Sequence, residues 1–234
     1  KMLAGDGEMW RAYLNTILYT VPTTVLMLVT SVLIAYPLTY KHLAGRKFVN
    51  MFLLIPMYFS GGMIPAFLLI TKLKLYGSPL SQVLPVCFSI WNIILMKAFF
   101  SSIPEGLREA AKIDGAGQLR IFAQIILPIS KPIIATIALF AAFGYWNDWF
   151  QASLYISDKN LQTLQSMLNN IQNNIEYIAN NPYGGLSLQQ YKASMPTESV
   201  RMAIAIIIVV PIACVYPFFQ KYFISGLTIG SVKG

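Results

Sequence analysis

Long stretches without charge constrain this chain more than any other feature of its sequence. Aspartate, glutamate, lysine and arginine are absent from residues 12–40, 48–71, 75–96, 132–147 and 202–220. A helix needs about 20 apolar residues to cross the hydrocarbon core of a bilayer. The fourth stretch reaches that length only if its helix continues past Asp148 to about Ile156. The sequence therefore predicts an all-α, polytopic transmembrane helical bundle with five visible spans.

The composition excludes several classes of function. Only 11% of the 234 residues are charged, against roughly 25% in a typical soluble domain, and mean hydropathy is +0.58. The excess of 17 Lys+Arg over 9 Asp+Glu indicates membrane topology rather than nucleic-acid binding. One histidine and two cysteines do not supply a bis-histidine haem site or a disulfide framework. Because no G-x-x-x-x-G-K-[ST] loop is present, we expect no bound cofactor and no ATP hydrolysis by this chain itself.

Basic residues in the loops predict which way the spans run. The connections after the first, third and fifth stretches hold Lys41, Arg46, Lys47, Lys97, Arg108, Lys112, Arg120, Lys131, Lys221 and Lys233. Short loops rich in lysine and arginine face the cytoplasm, so this side is predicted to be cytoplasmic. An odd number of spans then places Lys1 outside, and we expect a further first span to precede it.

The connection over residues 157–199 is polar and is predicted to lie outside the cell. Its apolar residues recur at helical intervals of three and four, at Leu161, Leu164, Leu168, Ile171, Ile175 and Ile178. This spacing predicts an amphipathic helix, followed by a turn at residues 181–185. Two interpretations remain open, namely a lid packed on the spans and a docking element for an extracytoplasmic partner.

Residues 102–128, between the third and fourth spans, form the most informative connection. Ser102 and Glu105 have the spacing of a capping box, and Gly115 suits a left-handed helix end. We therefore predict one helix from Ser102 to about Gly115 and a second after Gly117. The first helix is predicted to present a small apolar side that fits a groove in another protein, formed by Leu107, Ala110, Ala111 and Ile113.

The same connection resembles the EAA loop of ABC importer permeases, which follows EAA-x3-G-x9-I-x-LP. Every fixed position matches, at Glu109, Ala110, Ala111, Gly115, Ile125, Leu127 and Pro128. The resemblance implies a type I ABC importer permease fold, in which this loop is the coupling helix held in a cleft of an ATPase subunit. The residues expected to couple to that ATPase are Glu109, Ala110, Ala111, Asp114, Gly115, Leu127 and Pro128.

Two further segments narrow the resemblance to carbohydrate permeases. Trp146-Asn147-Asp148-Trp149 is similar to their WN-[DE] element, and the tail over 220–234 resembles the C-terminus of the maltose-transporter-like second membrane subunit, closest to its oligosaccharide branch. The resemblance implies that the tail inserts between two ATPase subunits, although a solvated end is the alternative. Members of the family usually have six spans, one more than this sequence shows.

Simple geometry gives Asp148 a position in the membrane. Counting from Pro132 at 1.5 Å per residue puts it roughly 24 Å up a slab of about 30 Å, near the outer mouth. Aromatic rings beside an amide and a carboxylate suit a sugar, so the candidate substrate pathway comprises Trp146, Asn147, Asp148 and Trp149. The other interpretation is an interfacial aromatic anchor with a structural hydrogen bond.

We therefore predict a single permease domain over residues 1–234, with a cytoplasmic EAA loop at 102–128, an extracytoplasmic loop at 157–199 and a cytoplasmic tail at 220–234. The resemblance implies a multi-pass protein of the bacterial cytoplasmic membrane. Its implied partners are a second homologous permease subunit, an ABC ATPase dimer that holds ATP and Mg²⁺, an extracytoplasmic substrate-binding protein, membrane lipid and a sugar. The alternatives are an ABC permease for a non-sugar solute, an ion-coupled secondary carrier and a purely structural subunit.

Overall fold

The structure, a computed structural model, describes residues 7–180, 202, 206–214 and 217. Over these residues the chain is helical and contains no strand, which confirms the predicted all-α bundle. The helices are α1 (Glu8–Ala35), α2 (Arg46–Tyr58), α3 (Met63–Lys72), α4 (Leu80–Val83), α5 (Ile90–Ser102), α6 (Glu105–Ile113), α7 (Gln118–Ile121), α8 (Leu127–Ile129), α9 (Lys131–Trp146), α10 (Phe150–Tyr155) and α11 (Leu164–Asn180). The predicted tail at 220–234, the turn at 181–185 and residues 203–205, 215–216 and 218–220 of the fifth predicted span lie outside the described residues.

Helix α1 is the central element of the bundle. Together with the short 3₁₀ turn Pro37–Thr39 it forms a segment of 32 residues that is long and apolar enough to cross a membrane. It contacts α5 and α9 along its length. The side chains that face these neighbours, such as Met27 and Ala35, are fully buried, whereas Leu18 on the opposite side is exposed.

The second, third and fourth apolar stretches each belong to a bent helix pair. The bends are 113° between α2 and α3, 45° between Leu80–Val86 and α5, and 71° between Gln118–Ile129 and α9. Within the described residues one helix is long enough to span a membrane by itself, or up to four segments are if each bent pair is one span. The second predicted span is thus two helices, and Gly62 at their break has φ +86°, a conformation that favours glycine.

The largest buried cluster joins the ends of α1 and α5 to the connection over residues 102–128. Tyr36, Phe100, Ile121 and Ile126 belong to it, and Ala111 of α6 packs into it. Close packing of this kind resists deformation. The predicted coupling loop is therefore fixed to the bundle by a core rather than suspended as a free loop.

Helix α11 confirms the amphipathic helix predicted from the apolar spacing, over Leu164–Asn180. Leu164 and Leu168 are buried against Met9 of α1. The Leu164 backbone N–H also donates to Thr16 Oγ1 at 2.8 Å. The first turns of α11 are therefore packed on the spans, as the lid interpretation requires, while Gln172 on a later turn is exposed.

Candidate functional site

The first helix of the predicted coupling loop begins later than the sequence predicted. The capping box at Ser102 is wrong, because Ser102 ends α5 and its hydroxyl donates to the Phe99 carbonyl at 2.7 Å. Pro104 occupies the N-cap of α6 instead, with ψ 132°. A residue before proline is driven towards extended backbone, and Ile103 accordingly has ψ 128°. This break separates α6 from α5 and lets the two helices run in different directions.

The end of α6 matches the prediction at Gly115. Gly115 has φ +76°, and its N–H donates to the Lys112 carbonyl at 3.0 Å, while the Ala116 N–H donates to the Ala111 carbonyl at 2.9 Å. These two bonds are the pair that defines a Schellman motif. The spacing from Ala111 to Gly115 in the EAA pattern is therefore the spacing between the C3 and C′ positions of a capped helix end.

The two sides of α6 have different surroundings. Ala111 and Arg108 are buried against the rest of the chain, so the prediction that Ala111 belongs to the exposed apolar side is wrong. Leu107 is 44% exposed and Ile113 is 86% exposed. The remaining predicted residues Glu109, Ala110, Asp114 and Gly115 are also exposed. The exposed apolar side is thus made by Leu107, Ala110 and Ile113.

Arg108 holds α6 to two other helices, a role that the sequence analysis missed. Its guanidinium donates to Thr39 Oγ1 at 3.1 Å and to the Phe100 carbonyl at 3.0 Å. It also lies over the rings of Tyr36 and Tyr40, at 5.6 and 5.5 Å from their centroids. Hydrogen bonds to a charged group are worth about 1.5–3 kcal/mol. The one sequence signal for this contact is that Arg108 and Ala111 are three residues apart and share a helix face.

Weaker contacts surround this anchor. Tyr40 Oη donates to Gln118 Oε1, which ties the end of the 3₁₀ turn Pro37–Thr39 to the start of α7. Lys41 Nζ lies 3.3 Å from Glu105 Oε2, but both side chains are largely exposed. Exposed ion pairs of this kind contribute about 0–1 kcal/mol. The position of α6 therefore depends mainly on Arg108 and the buried core.

The last predicted coupling residues, Leu127 and Pro128, follow a π-helical turn. This turn, Phe122–Ile126, widens the second helix of the loop, and the Leu127 N–H bonds back to the Phe122 carbonyl. Proline inside a helix lacks an N–H donor and crowds the carbonyl four residues earlier, and a wider turn relieves that crowding. Leu127 packs partly into the buried cluster, whereas Pro128 is exposed.

The candidate substrate residues lie at the other end of α9, where the helix breaks. Helix α9 ends at Trp146 and α10 begins at Phe150, so the predicted uninterrupted span through Asp148 to Ile156 is wrong. Asn147 Nδ2 donates to the Phe143 carbonyl at 2.9 Å, and Asp148 Oδ1 accepts from the Gln151 N–H at 3.0 Å. Both polar side chains therefore cap helix ends at the break.

The two tryptophans of this segment have different environments. Trp149 is 44% exposed. Trp146 packs edge-on against Tyr13 of α1, with ring centroids 5.6 Å apart, and borders a cavity of about 420 Å³ with almost entirely apolar walls. The indole Nε1 of Trp146 has no hydrogen-bond partner among the described residues. Asn147 Oδ1 accepts from Gln165 Nε2 at 3.3 Å, so the break also contacts α11.

The structure keeps the two predicted sites apart. The coupling residues precede α9 and the tryptophan segment follows it, and the 16 residues of that helix span about 24 Å at 1.5 Å per residue. Any coupling between the sites must therefore pass through α9 or through the helices packed on it.

Known proteins of similar sequence include transport permeases. The chain is 41% identical over 219 residues to protein LplC of Bacillus subtilis (strain 168). The aligned region covers 94% of this chain and 72% of that protein. It is 38% identical over 225 residues to the polygalacturonan/rhamnogalacturonan transport system permease protein YtcP of the same organism, covering 96% of this chain and 77% of that protein.

A solved structure agrees with this result. The chain is similar to one chain in the crystal structure of a bacterial ABC transporter involved in the import of the acidic polysaccharide alginate. The TM-score is 0.80 and the sequence identity is 33%, and the match covers 94% of this chain and 76% of the other. The model of one family, described as the binding-protein-dependent transport system inner membrane component, matches residues 8–229. The chain therefore belongs to the binding-protein-dependent transport system inner membrane component family.

Proposed function

We propose that this chain is a membrane-spanning subunit of an ATP-driven importer that translocates a sugar, in particular an oligosaccharide, by alternating access. Support for the substrate class comes from the substrates for which YtcP and the alginate importer are named, together with the Trp146–Trp149 segment. Support for ATP-driven coupling comes from one observation above all. That observation is a capped helix, α6, which is anchored on one side and exposes an apolar surface on the other.

The exposed side of α6 fits a cleft in an ATPase subunit. Ile113 and Leu107 would lose their contact with water there, and burial of such a side chain is worth about 1.5–3 kcal/mol. In this proposal the ATPase dimer holds ATP and Mg²⁺ and carries out hydrolysis, while this chain contributes transport. The EAA loop and the C-terminus then face the cytoplasm, and the chain itself lies in the bacterial cytoplasmic membrane.

Movement of the ATPase would reach the spans by two routes. Arg108 links α6 to the turn that follows α1 and to the end of α5. The second helix of the loop leads through the bend at Ser130 into α9. ATP binding favours one arrangement of these helices and ADP release the other, so coupling is a difference in contact free energy between two states. A second homologous permease subunit completes the translocation pathway.

The outer end of the molecule would receive substrate from an extracytoplasmic binding protein. Helix α11 lies beside the α9 break through Gln165 and Asn147, so a protein that docks on α11 is close to the candidate substrate residues. The exposed ring of Trp149 can stack on the C–H face of a sugar, and Asp148 can accept bonds from sugar hydroxyls. In this proposal α11 serves both as a lid and as a docking element.

Uptake into liposomes tests the substrate class. The complete transporter, reconstituted with its binding protein and with ATP enclosed on the ATPase side, is expected to accumulate one or more labelled oligosaccharides. The panel includes monosaccharides and amino acids, and a parallel series replaces ATP with a proton or sodium gradient. Uptake of an amino acid but no sugar would indicate a non-sugar permease, and gradient-driven uptake without ATP would indicate a secondary carrier.

Replacement of Gly115 tests the capped end of α6. Gly115→Val is expected to leave the protein in the membrane but to uncouple it, so that uptake falls while ATP hydrolysis by the complex continues. A Cβ at this position meets no atom within 4 Å. The penalty is therefore conformational, roughly 1–2 kcal/mol for a left-handed residue with a side chain.

Gly115→Asn is the matched control, because asparagine adopts left-handed backbone more readily. It is expected to retain most of the uptake per ATP hydrolysed. A second control is Gly117→Ser, since Gly117 has φ −69° and stands at a helix N-cap where serine is favoured. Normal uptake by Gly115→Val would show that the left-handed turn is not needed for coupling.

Two substitutions at Asp148 separate capping from substrate contact. Asp148→Ala removes the acceptor for the Gln151 N–H and should cost about 1 kcal/mol of stability. Asp148→Asn keeps a good capping group but removes the charge, so thermal stability is expected to be unchanged. If the carboxylate contacts sugar, KM for uptake should rise about fivefold in both variants, the factor for about 1 kcal/mol. Native kinetics in Asp148→Asn would show that the carboxylate only caps α10.

A further inference from the structure

A small cavity opens between α2 and α5, and its walls include none of the candidate coupling or substrate residues. Its volume is about 160 Å³, and five of its lining residues are aliphatic: Leu38, Leu53, Leu54, Ile93 and Ile94. The other two are Asn50 and Lys97. A site with one polar end and otherwise aliphatic walls matches the chemistry of an amphiphile.

The depth of the cavity supports the same conclusion. Lys97 lies five residues before Ser102, the end of α5, which is about 7.5 Å along the helix axis. Asn50 lies in the second turn of α2, which begins at Arg46. Asn50 is thus close to the start of α2, which follows the predicted cytoplasmic connection after the first span. Lys97 is close to the end of α5, which precedes the predicted cytoplasmic loop at 102–128. This is the depth at which lipid head groups meet their acyl chains.

The charge of the cavity is not balanced within the described residues. Lys97 Nζ donates to Asn50 Oδ1 at 2.6 Å, but an amide oxygen carries no charge. Arg46 is near enough to act electrostatically on Lys97, and its Nε is bonded to the Leu38 carbonyl at 3.0 Å. Among the acidic side chains that the structure describes, Glu105 forms an ion pair, and its partner is Lys41 rather than Lys97 or Arg46. Lys97 in the cavity wall and Arg46, which is bonded to the lining residue Leu38, therefore face no ion-pair partner among the described residues.

We propose that this cavity binds an anionic phospholipid, with the phosphate between Lys97 and Arg46 and an acyl chain along the aliphatic wall. Basic pockets between spans on the cytoplasmic side are suited to such head groups. A free phosphate would leave the aliphatic wall unfilled, and a sugar would leave both cations unpaired. Leu54, on the open side of the wall, is 37% exposed, so a chain can extend from the cavity into the bilayer.

Native mass spectrometry of the intact transporter complex tests this site. The complex is titrated with phosphatidylglycerol and with phosphatidylcholine, and lipid retained per complex is counted. We expect selective retention of phosphatidylglycerol and about fivefold weaker binding in Lys97→Gln, the factor that one basic residue contributes at an anionic surface. Lys47→Gln, at an exposed lysine outside the cavity, should bind as the unmodified complex does.

Two further variants and a competition with inorganic phosphate complete the test. Lys97→Arg keeps the charge and should keep the lipid, and Arg46→Gln replaces Lys97→Gln if that variant does not assemble. Equal retention of the two lipids would overturn the proposal, as would equal binding by the Lys97→Gln and Lys47→Gln variants. Competition by inorganic phosphate as effective as that by phosphatidylglycerol would identify a simple anion site and would also overturn it.

Discussion

The buried guanidinium of Arg108 is the interaction on which the cytoplasmic end of this structure depends. It joins α6 to the 3₁₀ turn Pro37–Thr39 that follows α1 and to the end of α5 through two hydrogen bonds, and it lies over the rings of Tyr36 and Tyr40. A buried charge that loses its hydrogen-bond partners is costly, so displacing α6 alone would incur that cost. The helix is therefore expected to move together with α1 and α5 rather than to slide over them.

Breaks at both ends of α9 complement this rigid connection. Ser130 separates α9 from the loop with a bend of 71°, and Asn147 and Asp148 cap the break at its outer end. A helix between two breaks can tilt as a unit, because the backbone changes concentrate at its ends. The proposed alternation of access thus requires no bending within α9, and its outer break adjoins both the candidate substrate residues and α11.

The features predicted correctly from the sequence are those that local chemistry dictates. Gly115 was predictable because a left-handed helix end favours glycine, and α11 because its apolar residues repeat at helical intervals. The Ser102 capping box failed because Pro104, two residues later, forces an extended backbone. Arg108 was missed because Thr39, one of its partners, is 69 positions away. Contacts of that kind depend on how helices pack, which periodicity does not encode.

Site-directed cross-linking tests most directly the claim that the exposed side of α6 contacts an ATPase. A cysteine at Ile113, which is 86% exposed, is predicted to cross-link to the ATPase subunit in the intact complex, and a cysteine at Ala111, which is 8% exposed, is predicted not to. ATP binding should change the yield at position 113, because the two states differ in their contacts. Cross-linking of Ala111 but not Ile113, or of neither to a nucleotide-hydrolysing protein, would contradict the account.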